Sequence, residues 1–93
     1  MILKEGNYKC NPHGCCGDII LHVKETKTSF VFDLIENTCR YSPAHIDMMF
    51  AKSNRCVNKK QGGRHPMRFI EGLYDYFVIY PFQAGIPFSF DLI

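Results

Sequence analysis

Between Lys52 and Arg68 the chain carries six cations, Lys52, Arg55, Lys59, Lys60, Arg64 and Arg68, with no acidic residue among them. Like charges this dense repel one another unless they face water or an anion. Gly62 and Gly63 fall inside the run. Glycine lets a backbone approach a ligand closely and turn its N–H groups toward it. Arginine adds a planar fork that matches carboxylate or phosphate. Lys52, Arg55, Lys59, Lys60, Gly62, Gly63, Arg64 and Arg68 therefore form a candidate binding set for nucleic acid, a nucleotide or an acidic protein surface. No Gly-Lys-Ser/Thr follows the glycines, so a phosphate loop of the NTPase kind is not indicated.

Cys10-Asn11-Pro12-His13 has the two-residue gap that lets two ligands reach one tetrahedral ion. Cys10 and His13 are thus candidate zinc ligands. The second pair would come from Cys39 with His45, from Cys56 with His65, or from Cys15 or Cys16 with either histidine. Apart from that zinc, no cofactor is expected. Cys15, Cys16, His13 and His22 also lie close in sequence, which is the residue set of a thiol nucleophile and its base. Asp33 and Asp91 occupy equivalent places in a short internal echo and would serve acid/base or metal work if paired. Tyr74, Tyr76 and Tyr80 fall on one face of an expected strand, where rings beside cations could stack bases. No Gly-x-Ser-x-Gly or His-Glu-x-x-His occurs, and the chain is not expected to be an enzyme.

Something must position these groups. A chain of 93 residues gives one domain, 1–93, with one core. Its 46% apolar and 22% charged residues are ordinary for a globular protein, and eight Phe with five Tyr exclude a disordered chain. The longest mostly apolar stretch, Tyr76 to Phe90, is cut by Pro81, Gly85 and Pro87, so no membrane span is expected. The N-terminus is charged after three residues and lacks a signal-peptide apolar region. An odd count of five cysteines argues against a disulfide framework. These features point to the cytoplasm, the host cell's if the chain is viral.

Asp18 to Lys24 and Thr28 to Glu36 alternate apolar and polar residues, Ile20 excepted, and the short polar link between them makes a hairpin. Ser42-Pro43 starts a helix over about 43–53, with Ile46, Met49 and Phe50 on one face. Residues 55–65 read as a polar loop. Met67 to Glu71 and Leu73 to Tyr80 read as strands, the second apolar on both faces like a covered central strand. Phe88 to Leu92 alternates again. Short strands at Ile2–Lys4 and Tyr8–Cys10 flank a Glu-Gly-Asn turn. Phe30 to Ile35 matches Phe88 to Ile93 at five of six positions, the trace a duplicated hairpin would leave. The fold class expected is α+β: a small, mainly antiparallel sheet of about 5–6 strands with one central helix, in the order β-hairpin, helix, β-strands.

The function expected from these features is a small stand-alone binding protein that engages an acidic partner through its basic loop. It would act as an inhibitor by occluding a larger machine, by analogy of size and composition with phage-encoded inhibitors of host defence. The alternative is a zinc-supported nucleic-acid-binding module, and behind it a small thiol or nucleotide-processing enzyme. The chain would be a monomer or, if its apolar C-terminal strand lies at a sheet edge, a homodimer formed by strand addition.

Overall fold

Alternating apolar side chains draw most of this chain into strands, and the strands curl around the side chains they bury. The computed structural model describes residues 1–11, 17–40, 43–82 and 87–93. The elements are β1 (Ile2–Leu3), β2 (Gly6–Cys10), β3 (Ile19–Glu25), β4 (Ser29–Asn37), α1 (Pro43–Met49), β5 (Cys56–Asn58), a 3-10 turn (Lys59–Gln61), β6 (Arg64–His65), β7 (Arg68–Tyr74), β8 (Tyr76–Pro81) and β9 (Phe88–Leu92). Strands take 56% and helix 12% of the structure, in one mixed, curled sheet of nine strands. The expected α+β fold with 5–6 strands around a central helix is therefore overturned.

The sheet runs β1-β7-β8-β9-β2-β3-β4-β5, with β6 also on β7. All pairs are antiparallel except β1 with β7. β5 lies on the outer side of β4 and β6 on the outer side of β7, so residues 59–63 carry the chain from one end of the sheet to the other. Lys59 N–H donates to Thr28 O at 2.8 Å on one side of this seam, and Ile70 N–H donates to Gly63 O at 2.9 Å on the other. The curl is set by what it encloses. Tyr8, Leu21, Val23, Phe30, Phe32, Val57, Ile70, Phe77, Ile79 and Phe90 are all buried. Phe77 stacks on Phe90 at 4.9 Å and meets Phe32 edge-on at 5.4 Å. Ile46 and Met49 of α1, with Phe50 after it, join the same cluster. Register between β3 and β4 shifts at Ile20/Leu21, leaving Ile35 as an extra residue on β4. Such a bulge sharpens the local twist, while burial on β3 alternates through Ile20, which faces outward.

The polar loop expected over 55–65 is instead β5, the 3-10 turn and β6, because its backbone finds partners in β4 and β7 whatever its side chains are. The helix ends at Met49, earlier than expected: the Asn54 side chain donates to Met48 O at 2.8 Å and caps it. Its expected N-cap, Ser42, lies outside the described residues. The break expected near Gly72 falls at Asp75. β7 runs straight through Gly72, where a Cβ would come within 2.7 Å of Leu3 Cγ. The turn is made by Tyr74, at φ 79°. β8 is thus buried on one face only, through Phe77, Ile79 and Pro81. β9 lies between β8 and β2, which removes the edge that strand addition by the C-terminal strand would need. In the two echo segments Phe30 and Phe32, like Phe88 and Phe90, face the core.

Candidate binding groove at the seam of the sheet

The antiparallel pairings place Arg64 of β6 opposite Phe69 of β7, and Phe69 opposite Tyr80 of β8. Residues directly opposite across antiparallel strands share one face. This row lies on the outside of the sheet, with the Phe69 and Tyr80 rings 6.0 Å apart. Lys60, Gln61 and Gly62 border it from the 3-10 turn, and His65, Pro66 and Phe82 complete an open groove of about 1190 Å³. The 3-10 turn that borders the groove is closed by its own hydrogen bonds. Asn58 Oδ1 accepts from Lys60 N–H at 2.9 Å, and Gly62 closes the turn in the left-handed region at φ 60°. Gly63 is buried at φ 97°, and a Cβ there would stand 2.0 Å from Ile70 O. Gly63 therefore serves the joint between β6 and β7 and offers no N–H surface to a ligand.

The six cations divide into three kinds. Arg55 Nη1 pairs with Asp33 at 2.8 Å, and Lys59 Nζ pairs with Glu25 at 2.6 Å while lying 5.3 Å from the Phe30 ring centre. Both pairs are about 40% exposed, so each contributes at most about 1 kcal/mol. Their cations are nonetheless satisfied. Arg68 is completely buried: Nη2 donates to Asn54 O at 2.7 Å, and the guanidinium lies 5.0 Å over the Phe50 ring. Burial pushes its pKa down to about 10, which leaves it charged at neutral pH. Lys52, Lys60 and Arg64 are exposed and have no ion pair among the described residues. Of the candidate set, the groove gathers Lys60, Gly62 and Arg64. Lys52, Arg55, Lys59, Gly63 and Arg68 do not line it.

The aromatic half of the groove is harder to see in sequence. Phe69 follows Pro66 in an ordinary alternating stretch, and only its register with Arg64 and Tyr80 shows that it faces out. Phe82 is 60% exposed just beyond β8. The tyrosine face expected on one strand is split: Tyr74 ends β7, whereas Tyr76 and Tyr80 belong to β8. Tyr80 Oη donates to Glu71 Oε2 at 3.1 Å, and this bond to a carboxylate is the first cause of its raised pKa. His65 Nδ1 accepts from Met67 N–H at 3.1 Å. Burial, then the nearby Arg68 charge, lowers its pKa and favours the neutral ring.

The other candidate chemistry is not assembled among the described residues. Cys10 is buried, and its thiol is pushed up to about 12, by burial first and then by the neighbouring Cys39. Its expected partner His13, with Cys15 and Cys16, lies outside the described residues. No three of His, Cys, Asp and Glu are gathered to hold a metal among the described residues. His22 is bound to Asn7 Oδ1 at 2.7 Å. Asp33 and Asp91 sit on β4 and β9, with β2 and β3 between them, and do not form a pair. No helix of the described residues is long and apolar enough to cross a membrane. Comparison of the chain with protein-family models, with curated proteins and with solved structures finds no match to any of them.

Proposed function

We propose that this chain is a binding protein whose seam groove holds an acidic, partly apolar segment of another protein. The observation that carries this reading is the row Arg64–Phe69–Tyr80, flanked by Lys60 and Phe82. It sets two cations without ion pairs among the described residues beside three aromatic rings on one outward face. A carboxylate-bearing segment would meet the cations, and its apolar side chains would cover Phe69 and Phe82. Association through such a groove works by occupancy, so the chain would act by occluding the partner's acidic surface.

A second reading has one observation in its favour. Rings beside cations also suit the bases and phosphates of a single strand of nucleic acid. Tracking a phosphate backbone takes a line of free cations, however, and Arg55 and Lys59 are engaged by Asp33 and Glu25.

Fluorescence anisotropy separates the two, using a short labelled peptide of Glu interspersed with Leu and Phe, its Gln counterpart, and oligothymidylate. The acidic peptide should bind best. Lys60→Glu and Arg64→Glu should each weaken it about fivefold or more, the effect of roughly 1 kcal/mol. Equal binding of the Gln peptide, or binding unchanged in the double variant, would sink the proposal. Tighter, steeply salt-dependent binding of oligothymidylate would move the function to nucleic acid.

A further inference from the structure

The hairpin of β7 and β8 carries the groove near one end and, at the other, a tip of opposite chemistry. Eight large hydrophobic residues are exposed among the described residues, and four of them gather at this tip. Ile2 lies opposite Leu73 in the parallel pairing of β1 with β7, and Tyr74 and Tyr76 flank the turn at Asp75. Their exposures are 72% for Ile2, 49% for Leu73, 58% for Tyr74 and 37% for Tyr76. Apolar side chains gathered in this way mark a contact surface. Asp75 is exposed in their midst and forms no ion pair among the described residues. Lys4 joins the tip through its N–H bond to Tyr74 O but does not pair with Asp75.

The tip thus sets one carboxylate among exposed apolar side chains, and the groove sets two cations, Lys60 and Arg64, among the Phe69, Tyr80 and Phe82 rings. The tip is the turn of a hairpin and the groove is a hollow, so the two match in form as well as in charge. They cannot meet within one molecule. Leu73 stands four residues along β7 from Phe69, and Tyr76 stands four along β8 from Tyr80. At the rise of a strand, that separates tip from groove by about 13 Å on one continuous pair of strands. A tip that enters a groove must come from a second copy.

We propose that the groove of one copy receives the β7–β8 tip of a second copy of this chain, with Asp75 set against Lys60 and Arg64 and the tip's apolar side chains laid on Phe69 and Phe82. This rests on the reading of the groove as a site for an acidic, partly apolar segment, and it names the chain's own tip as such a segment. Tip and groove are different patches, so the contact is heterologous. Each pair leaves one groove and one tip open, and further copies add head to tail. Any other acidic segment must then displace the tip, so self-association governs access to the groove and strengthens with concentration.

Sedimentation velocity of the whole chain, from about 10 μM to 1 mM, tests this. The mean mass should rise past that of a dimer as concentration grows, and fall as salt is raised from about 0.05 M to 0.5 M. Arg64→Glu spoils the groove and Asp75→Ser spoils the tip, both at exposed positions. Each should lower self-association about fivefold or more. Mixed in equal amounts, the two variants should form a dimer that grows no further. The intact tip of the first meets the intact groove of the second, and the altered groove and altered tip left over do not attract. A wild-type chain that stays monomeric throughout, association unchanged in both variants, or a mixture that forms no dimer would overturn the proposal. The acidic peptide separates that result from a failure of the groove itself. If it binds a chain that stays monomeric, the groove reading stands and the tip is not its occupant; if it fails to bind a monomeric chain, both fall. Peptide that breaks up the assemblies would put peptide and tip in competition for one groove, as proposed.

Discussion

The Tyr8 hydroxyl shares its single proton between the Lys4 carbonyl at 2.5 Å and the Tyr74 carbonyl at 3.0 Å, the second joining residues 66 positions apart. The Tyr74 carbonyl also accepts Lys4 N–H at 2.8 Å, so Tyr74 is held from two sides while its φ is 79°. A bulky residue with positive φ is strained by about 1 kcal/mol or more, and these two bonds offset that strain. Tyr8 is fully buried, with its ring 5.0 Å from Phe77. Tyr8→Phe should therefore lower stability by about 1–2 kcal/mol, read as a melting temperature roughly 4–15 °C lower. Tyr74→Gly should cost little or stabilise, since the ring is 58% exposed and glycine accepts the angle. A stable Tyr8→Phe chain would show that the turn holds without the bond.

The two seam glycines should separate by size of effect. At Gly62 nothing lies within 4 Å of an added Cβ, so Gly62→Ala should cost only the left-handed angle, about 1 kcal/mol. At Gly63 the added Cβ would meet Ile70 O at 2.0 Å, beside the bond Ile70 N–H makes to Gly63 O. Gly63→Ala should part β6 from β7, cost more than about 3 kcal/mol, and abolish groove binding. Denaturant unfolding of both variants checks the contrast. Equal costs would mean that the seam is soft.

The hairpin of β3 and β4, the apolar face of α1 and the alternation of β9 were all legible in sequence, because each rests on side-chain period within one segment. β5 and β6 were not. Apart from the buried Val57 their side chains are mostly polar, and they are strands because β4 and β7 offer them backbone partners, which no local pattern encodes. The division of the cations was hidden for the same reason. Asp33 and Glu25, which engage Arg55 and Lys59, lie 22 and 34 positions away. Arg68 reads as one more surface charge until the curl of the sheet encloses it. The groove was half visible: Lys60, Gly62 and Arg64 stand in the basic run, whereas Phe69 and Phe82 acquire their outward role only from register.

His65 sets a pH dependence. Its folded-state pKa lies below the ordinary 6.5, from burial first and Arg68 second. Above the ordinary value both states hold a neutral ring and His65 has no effect. As pH falls through about 6.5, the unfolded chain takes the proton first, so stability drops. His65→Gln, which keeps an acceptor for Met67 N–H, should flatten this loss. Melting temperatures of the two chains between pH 7 and pH 5 make the comparison, and parallel curves would assign the acid sensitivity to other groups.

The thiols offer a final contrast. Cys56 is exposed on β5, whereas Cys10 is buried with its pKa pushed up to about 12. The thiolate is the reactive form, so iodoacetamide at pH 8 should label Cys56 readily and Cys10 only as fast as the fold opens. Peptide mapping by mass spectrometry distinguishes the two sites. The sign of the linkage follows from the same burial. Above pH 9 the unfolded chain ionises Cys10 before the folded one does, so stability should fall as pH rises toward 12, and Cys10→Ala should reduce that slope. Labelling of Cys10 in the folded chain at the Cys56 rate would place its thiol in contact with solvent.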